Sequence, residues 1–147
     1  IVSAELVERL IEREIERGIP SQNIVLMGFS QGAAMALHVG HRFHKPLMAI
    51  LVLSGYVLKP AVFEKEMHAA NRLTPYHFYH GLRDLTVHYR RGDESCNLVT
   101  NFHRFTYWTE FSMGHEVCLE EIRQIRFLLH EKFQYRRELK NSENTKV

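Results

Sequence analysis

A short motif, Gly28-Phe29-Ser30-Gln31-Gly32, separates an apolar run from a run of small residues. The apolar run at 24–27 predicts a strand, and the alanines after the motif predict a closely packed helix. A side chain on such a sharp strand-to-helix turn projects above the sheet, and we expect Gly28 and Gly32 to permit the close backbone approach. An isolated match of this kind is more often a Gly-Ser turn without chemistry. Because strand and helix flank it, Ser30 is predicted to be a nucleophile.

Gln31 follows the serine at the predicted start of the helix. Its backbone N–H is expected to point to the position where a carbonyl oxygen gains negative charge, with the positive end of the helix behind it. The sequence therefore predicts that the Gln31 N–H is one donor of an oxyanion hole.

Strand-like and helix-like segments alternate along the chain, which predicts an α/β fold with a mostly parallel sheet and helices on both faces. The predicted strands are 24–29, 47–53, 76–79 and 104–111. One helix is predicted to begin at a Ser3 cap and another after Ser30. Three more are predicted over about 61–69, 93–102 and 117–133. The chain has 147 residues, of which 45% are hydrophobic, enough for one core. We expect one domain over 1–134 and a polar, disordered tail over 135–147.

Charge, cysteine content and hydropathy exclude several classes of protein. The formal net charge is +2 and the basic residues are scattered, so no nucleic-acid partner is predicted. Two cysteines cannot form a disulfide framework, which fits a reducing compartment. The longest apolar run, near 47–58, is too short for an integral membrane segment. We expect a cytoplasmic protein, and the first residue, Ile rather than Met, suggests a fragment.

An activated serine needs a base, and the base needs an acid that orients it. The sequence contains two aspartates, Asp84 and Asp93. Asp84 closes the segment His-Gly-Leu-Arg-Asp directly after the third predicted strand, where a parallel sheet collects its site residues. Asp93 lies where a helix should begin and is more simply a cap. Asp84 is therefore the predicted acid.

Four histidines follow Asp84 in the sequence. His88 is almost adjacent to it, and His103 and His130 belong to or border predicted helices. His115 falls in the loop between the last strand and the last helix, which makes it the predicted general base. The order Ser30, Asp84, His115 is that of the α/β-hydrolase arrangement.

Three further histidines, His38, His41 and His44, recur every three residues. They lie near the end of a predicted helix, without cysteine or carboxylate at a spacing typical of metal ligands. We therefore predict neither a metal ion nor another cofactor.

Four ordered motifs together resemble the phospholipase/carboxylesterase family, which includes the acyl-protein thioesterases. They are Gly-Phe-Ser-Gln-Gly at 28–32, Leu-Ser-Gly-Tyr at 53–56, His-Gly-x-x-Asp at 80–84 and Met-Gly-His-Glu-Val-Cys-x-Glu-Glu-Ile at 113–122. The resemblance covers about residues 4–132. It implies an α/β-hydrolase fold, no cofactor, and hydrolysis of carboxylic esters or thioesters with Ser30, Asp84 and His115 as the triad. The implied types are carboxylesterase, acyl-protein thioesterase and lysophospholipase, and the implied substrate is a small ester, a lysophospholipid or an S-acylated protein.

The sequence departs from the family pattern in two respects. Leu85 stands where the family usually has a proline after the acid. The family's amino-terminal half, with its loop that supplies a second oxyanion donor, has no counterpart, and loss of one such donor costs about a hundred- to a thousandfold in turnover. The strand at 24–29 would then be an unpaired edge through which the chain self-associates. We expect a piece of a longer hydrolase; the alternative is a catalytically impaired remnant or a binding domain.

Overall fold

The structure is a computed structural model that describes residues 2–145. Its described residues fall into two compact units, the first ending at Glu116 and the second beginning at Val117. The second unit holds one long helix, α4 (Leu119–Asn144). The sequence predicted a domain that ends at residue 134, whereas the first compact unit ends at Glu116. The domain boundary at residue 134 stays a prediction.

The first unit alternates helices and strands. In chain order they are α1 (Val2–Glu16), β1 (Val25–Phe29), α2 (Gln31–Gly40), β2 (Ala49–Leu53), β3 (Tyr76–Gly81), α3 (Tyr89–Thr100) and β4 (Thr106–Phe111). Apolar strand segments linked by helical crossovers of this length favour parallel pairing.

The sheet has four strands in the order β1-β2-β3-β4, and every pair is parallel. The register sets Leu26 beside Ile50, and Ile50 beside Tyr76. All five residues of β2 are buried, as expected for a continuous apolar run in the middle of a parallel sheet. The predicted parallel α/β sheet is confirmed. Its four carboxyl ends lie along one edge, where parallel-sheet proteins place their sites.

One face of this sheet forms the core with α1, α2 and α3. Ile50 and Val52 of β2 alternate onto this face, and Tyr76 and Phe78 of β3 do the same. The helical side chains in the cluster include Ile11, Leu37, Val39, Cys96 and Val99. Full burial of an aliphatic side chain of this size stabilises a fold by about 1.5–3 kcal/mol.

The segment predicted as a helix over 61–69 is different. It contains two short 3₁₀ turns, Pro60–Val62 and Ala69–Asn71. The side chain of Asn71 explains the second turn, because its oxygen accepts hydrogen bonds from Leu47 N–H and Thr74 Oγ1. Its amide nitrogen donates to the Phe43 carbonyl oxygen. A buried amide satisfied by distant backbone fixes this segment more strongly than helix propensity does.

Several helix boundaries also differ from those predicted. Ser3 lies inside α1 and does not cap it, and α1 ends at Glu16. α3 begins at Tyr89, so Asp93 lies within the helix and the prediction that it caps α3 is wrong.

α4 continues through the polar segment to Asn144, where the sequence suggested a disordered tail. Good helix formers and side-chain pairs such as Gln134 with Glu138 support this extension. Within residues 2–145, none of the helices combines the length and the apolar character that a membrane crossing requires.

Candidate active site

Ser30 lies on the turn between β1 and α2, with φ 55° and ψ −120°. A positive φ at a residue other than glycine is a strained conformation that recurs at functional sites. The turn is held by a hydrogen bond of 2.8 Å from Ser30 N–H to the Leu53 carbonyl oxygen. The serine therefore sits where the motif placed it, at the carboxyl edge of the sheet.

The two glycines of the motif have different environments. A Cβ at Gly28 would overlap the backbone of Gly32 and lie 2.6 Å from the Ala33 nitrogen, so only glycine fits there. A Cβ at Gly32 would meet no heavy atom within 4 Å among the described residues. The expectation that the turn needs glycine is thus confirmed at residue 28. It is wrong at residue 32, where a side chain would fit.

Asp84 lies in the loop after β3 and is 1% exposed. Its Oδ1 accepts hydrogen bonds of 2.9 Å from the backbone N–H groups of Thr86 and Val87. This local turn fixes the carboxylate and leaves Oδ2 free to accept from another group. Leu85, the residue after Asp84, is 78% exposed.

His115 joins the acid to the serine. Its Nδ1 lies 2.7 Å from Asp84 Oδ2, and its Nε2 lies 2.9 Å from Ser30 Oγ. A carboxylate oxygen accepts, so Nδ1 is assigned as the donor to Asp84 Oδ2, and Nε2 then accepts a hydrogen bond from the Ser30 hydroxyl. The Phe29 ring lies 4.7 Å from the His115 ring, measured between centroids. Three residues far apart in the sequence thus form one hydrogen-bonded chain.

The loops that carry the acid and the histidine are held together by several hydrogen bonds. Arg83 N–H donates to the Met113 carbonyl oxygen, and its guanidinium donates two bonds of 2.8 Å to Ser112. Gly81 permits the approach, because a Cβ there would lie 2.5 Å from the Met113 carbonyl oxygen. These contacts bring His115 back over the end of β3.

Gln31 is the first residue of α2. The first hydrogen bond of this helix runs from Ala34 N–H to the Ser30 carbonyl oxygen, at 3.1 Å. The Gln31 N–H precedes that bond and belongs to the donors that a helix leaves unpaired at its amino end. Such a group can stabilise an anion beside Ser30.

The alternative acid and bases lie elsewhere. Asp93 is inside α3, His88 precedes that helix, and His130 is in α4. His103 is 2% exposed, and its ring stacks on Tyr76 at 4.4 Å. Burial lowers the pKa of His103. Its surroundings are those of a core histidine.

The histidines near the end of α2 also have structural surroundings. Burial is the main cause that lowers the pKa of His41 to about 3, and the neighbouring Arg42 lowers it further. Burial likewise lowers the pKa of His38 to about 4, and His44 pairs with Glu12 at 3.2 Å. Within residues 2–145, no three His, Cys, Asp or Glu side chains are arranged to hold a metal ion.

Sequence reasoning missed one residue beside the acid. His80 is 1% exposed, and its Nε2 lies 2.8 Å from the Val87 carbonyl oxygen and 3.5 Å from Asp84 Oδ2. Its position four residues before Asp84 in the His-Gly-x-x-Asp motif was the available signal.

A parallel sheet with a serine on a strained turn after one strand, and the acid and histidine after later strands, defines the α/β-hydrolase class of fold. The sequence profile of the Phospholipase/Carboxylesterase family matches residues 2–131. The chain belongs to this family.

Relatives agree with the assignment. Acyl-protein thioesterase 1 of Neurospora crassa is 36% identical over 126 residues, which cover 84% of this chain and 51% of that protein. Lysophospholipase-like protein 1 of Mus musculus is 29% identical over 129 residues, covering 83% of this chain and 52% of that protein. The chain thus spans about half the length of these relatives.

Solved structures share the fold. Arabidopsis thaliana SOBER1 superposes with a TM-score of 0.83 at 23% identity, covering 88% of this chain and 62% of that one. Zea mays acyl-protein thioesterase 2 superposes with a TM-score of 0.75 at 23% identity, covering 89% and 63%.

Proposed function

We propose that this chain carries the nucleophile, base and acid of a serine hydrolase that cleaves carboxylic esters or thioesters through an acyl-serine intermediate. The observation that supports it most is the continuous hydrogen-bonded chain from Ser30 Oγ through His115 to Asp84 Oδ2. The family supplies the reaction class, because its members include acyl-protein thioesterases.

In the acylation half of the proposed reaction, Ser30 Oγ attacks the acyl carbonyl carbon while His115 Nε2 takes the hydroxyl proton. The electron pair of the carbonyl bond moves to its oxygen, and the Gln31 N–H stabilises the resulting oxyanion. Asp84 stabilises the imidazolium that forms. Collapse of the tetrahedral intermediate expels the thiolate or alkoxide, which takes the proton back from His115.

In the deacylation half, a water molecule replaces the leaving group. His115 takes a proton from this water as its oxygen attacks the acyl carbon. The second tetrahedral intermediate expels Ser30 Oγ, which recovers its proton from His115, and the carboxylic acid leaves. None of these steps uses a metal ion or another cofactor.

The test is covalent labelling with a fluorophosphonate probe, followed by hydrolysis of a short-chain nitrophenyl ester and of an S-acylated peptide. We expect labelling of the wild-type chain and none of Ser30→Ala. Ser21→Ala, in a short turn before β1, is the matched control and should label normally. Labelling that persists in Ser30→Ala would identify a different nucleophile. Preference for the nitrophenyl ester or the peptide would separate a small-ester substrate from an S-acylated protein.

A second candidate function is binding without turnover. A wild-type chain that binds an S-acylated peptide but is neither labelled nor active would support this alternative. A related serine hydrolase acting on peptides or transferring acyl groups would instead keep the labelling and show another substrate preference.

We further propose that the chain self-associates through β1. Within the described sheet β1 pairs only with β2, and Met27 on it is 53% exposed. An apolar edge strand of this kind pairs readily with another chain. Sedimentation should detect a dimer that Met27→Lys weakens and that Leu73→Lys, an equally apolar but off-sheet position, leaves intact. A wild-type monomer at all concentrations would contradict this proposal.

The proposed location is the cytoplasm. Cys96 and Cys118 are both free thiols in the structure, which suits a reducing compartment. Localisation of the tagged full-length protein by microscopy and fractionation would test this proposal.

A further inference from the structure

His80 is a buried polar residue beside the proposed acid. It lies near the end of β3, four residues before Asp84, and is 1% exposed. Most buried polar side chains in folded proteins have hydrogen-bond partners. The partners of His80 therefore indicate its role.

The ring of His80 closes the loop that contains Asp84. Its Nε2 lies 2.8 Å from the Val87 carbonyl oxygen, so Nε2 carries the hydrogen and donates it. The backbone N–H of the same Val87 donates to Asp84 Oδ1 at 2.9 Å. His80 therefore fixes Val87, and Val87 in turn fixes Oδ1 of the Asp84 carboxylate. The other oxygen, Oδ2, lies 3.5 Å from His80 Nε2 and 2.7 Å from His115 Nδ1.

The ring has little freedom to leave this position. Trp108 stacks on it with centroids 5.8 Å apart and planes inclined by 14°, and Tyr89 contacts it edge-on at 6.2 Å. On the α3 side, a Cβ at Gly92 would overlap the ring and lie 2.6 Å from Cε1. Glycine is unfavourable within a helix, so its presence in α3 is explained by the space that the His80 ring occupies.

We propose that His80 is a positioning residue that holds Asp84 Oδ2 in line with His115 through its hydrogen bond to Val87. The proposal rests on the proposed hydrolase function and extends it to a residue outside the triad. In each half-reaction His115 becomes an imidazolium, and Asp84 stabilises that cation only if Oδ2 stays aligned with Nδ1. Residue 85 is a leucine, whose φ no ring fixes, so the bond between His80 and the Val87 carbonyl oxygen supplies a constraint on this loop.

The test compares His80→Gln with His80→Met. The two side chains have similar length and flexibility, and the Gln nitrogen is as many bonds from Cβ as Nε2 of histidine. Only Gln keeps an N–H that reaches the Val87 carbonyl oxygen. We expect His80→Met to lower kcat for a nitrophenyl ester roughly 10- to 100-fold with KM little changed, and His80→Gln to recover most of that loss. A merely structural role predicts the opposite order, because Met is the better tolerated side chain in a buried site.

A second readout does not depend on turnover. The hydrogen shared by His115 Nδ1 and Asp84 gives a low-field proton NMR resonance, assigned by its loss in Asp84→Asn. We expect His80→Met to broaden or remove this resonance and His80→Gln to retain it. Tyr89→Phe, which keeps the edge contact and removes only the hydroxyl that donates to Glu110, should leave both kcat and the resonance unchanged.

The outcomes separate the two proposals. A wild-type chain that shows the resonance but no esterase activity would contradict the proposed function, and the effect of His80→Met on the resonance would still test the positioning role. If neither His80 variant folds, Gly92→Ala is tested instead. This substitution keeps histidine at residue 80, but the new methyl group displaces the imidazole ring. The positioning role is overturned if His80→Met, or Gly92→Ala in that case, keeps the wild-type kcat and resonance.

Discussion

The backbone of Gly28 lies so close to the backbone of Gly32 that no side chain fits at residue 28. A Cβ there would also lie 2.6 Å from the Ala33 nitrogen, whereas a Cβ at Gly32 would meet open space among the described residues. The turn that presents Ser30 therefore depends on one of its two glycines.

This asymmetry predicts opposite effects of two identical substitutions. Gly28→Ala should destabilise the fold by about 1–3 kcal/mol through overpacking and should prevent labelling of Ser30. Gly32→Ala should be neutral or should stabilise by up to about 1 kcal/mol, because alanine favours a helix more than glycine does. Urea denaturation of both variants measures the difference. Equal destabilisation by both would contradict the assignment.

Asp84 is predicted to be the acid that orients His115. Asp84→Asn replaces a pure acceptor by a group with N–H donors, which favours the wrong tautomer of His115. We expect kcat for a nitrophenyl ester to fall by roughly 10⁴-fold. Asp93→Asn in α3 is the control and should keep the wild-type kcat; a comparable loss there would reopen the choice between the two aspartates.

Asn71 is predicted to be a principal structural residue of the first unit. It is fully buried, and its side chain makes hydrogen bonds with Leu47, Thr74, Phe43 and Lys45. Asn71→Ala leaves buried backbone groups without partners and should lower the free energy of unfolding by about 2–4 kcal/mol.

The matched control for Asn71 is the exposed Asn97. Asn97→Ala should change the free energy of unfolding by about 0.5 kcal/mol or less. A similarly small effect of Asn71→Ala would show that the loop around Asn71 rearranges at little cost.

His41 predicts a pH dependence of stability. Its pKa is lowered from 6.5 to about 3, mainly by burial. Between these values the unfolded chain binds a proton that the folded chain does not, so the free energy of unfolding falls as the pH drops below 6.5 and continues to fall to about pH 3. His38, with a pKa lowered to about 4, adds to this loss over the upper part of the window.

Urea denaturation at several pH values tests this dependence. His41→Phe should reduce the slope below pH 6.5, where one such group contributes at most about 1.4 kcal/mol per pH unit. Phe63→Leu, which alters the ring stacked on His41 at 3.9 Å, should lower stability at every pH without removing the slope. If the free energy of unfolding of His41→Phe keeps the wild-type dependence on pH, groups other than His41 cause the acid sensitivity.

The strands and the choice of candidate site residues were within reach of sequence reasoning. Apolar runs such as 49–53 have few alternatives to a buried strand, and parallel strands bring their carboxyl ends to one edge. That rule led to Ser30, Asp84 and His115, which the structure joins by hydrogen bonds.

The features that were missed depend on contacts between distant segments. The 3₁₀ turn at 69–71 replaces a predicted helix because Asn71 bonds to backbone more than twenty positions away along the chain. His80 and Gly92 fit together across β3 and α3, a relationship that no local pattern contains. The helical course of α4 to Asn144 ran against composition, which indicated a tail.

The position of β1 at the border of the described sheet also affects how experiments on this molecule are designed. β1, which ends immediately before Ser30, is a strand whose outer side has no neighbour in that sheet. Any polypeptide that pairs with the outer side of β1 would lie next to the Ser30 hydroxyl. Under the proposed self-association, a partner chain on β1 would change the surroundings of Ser30, so each activity measurement needs the oligomer distribution determined at the same protein concentration.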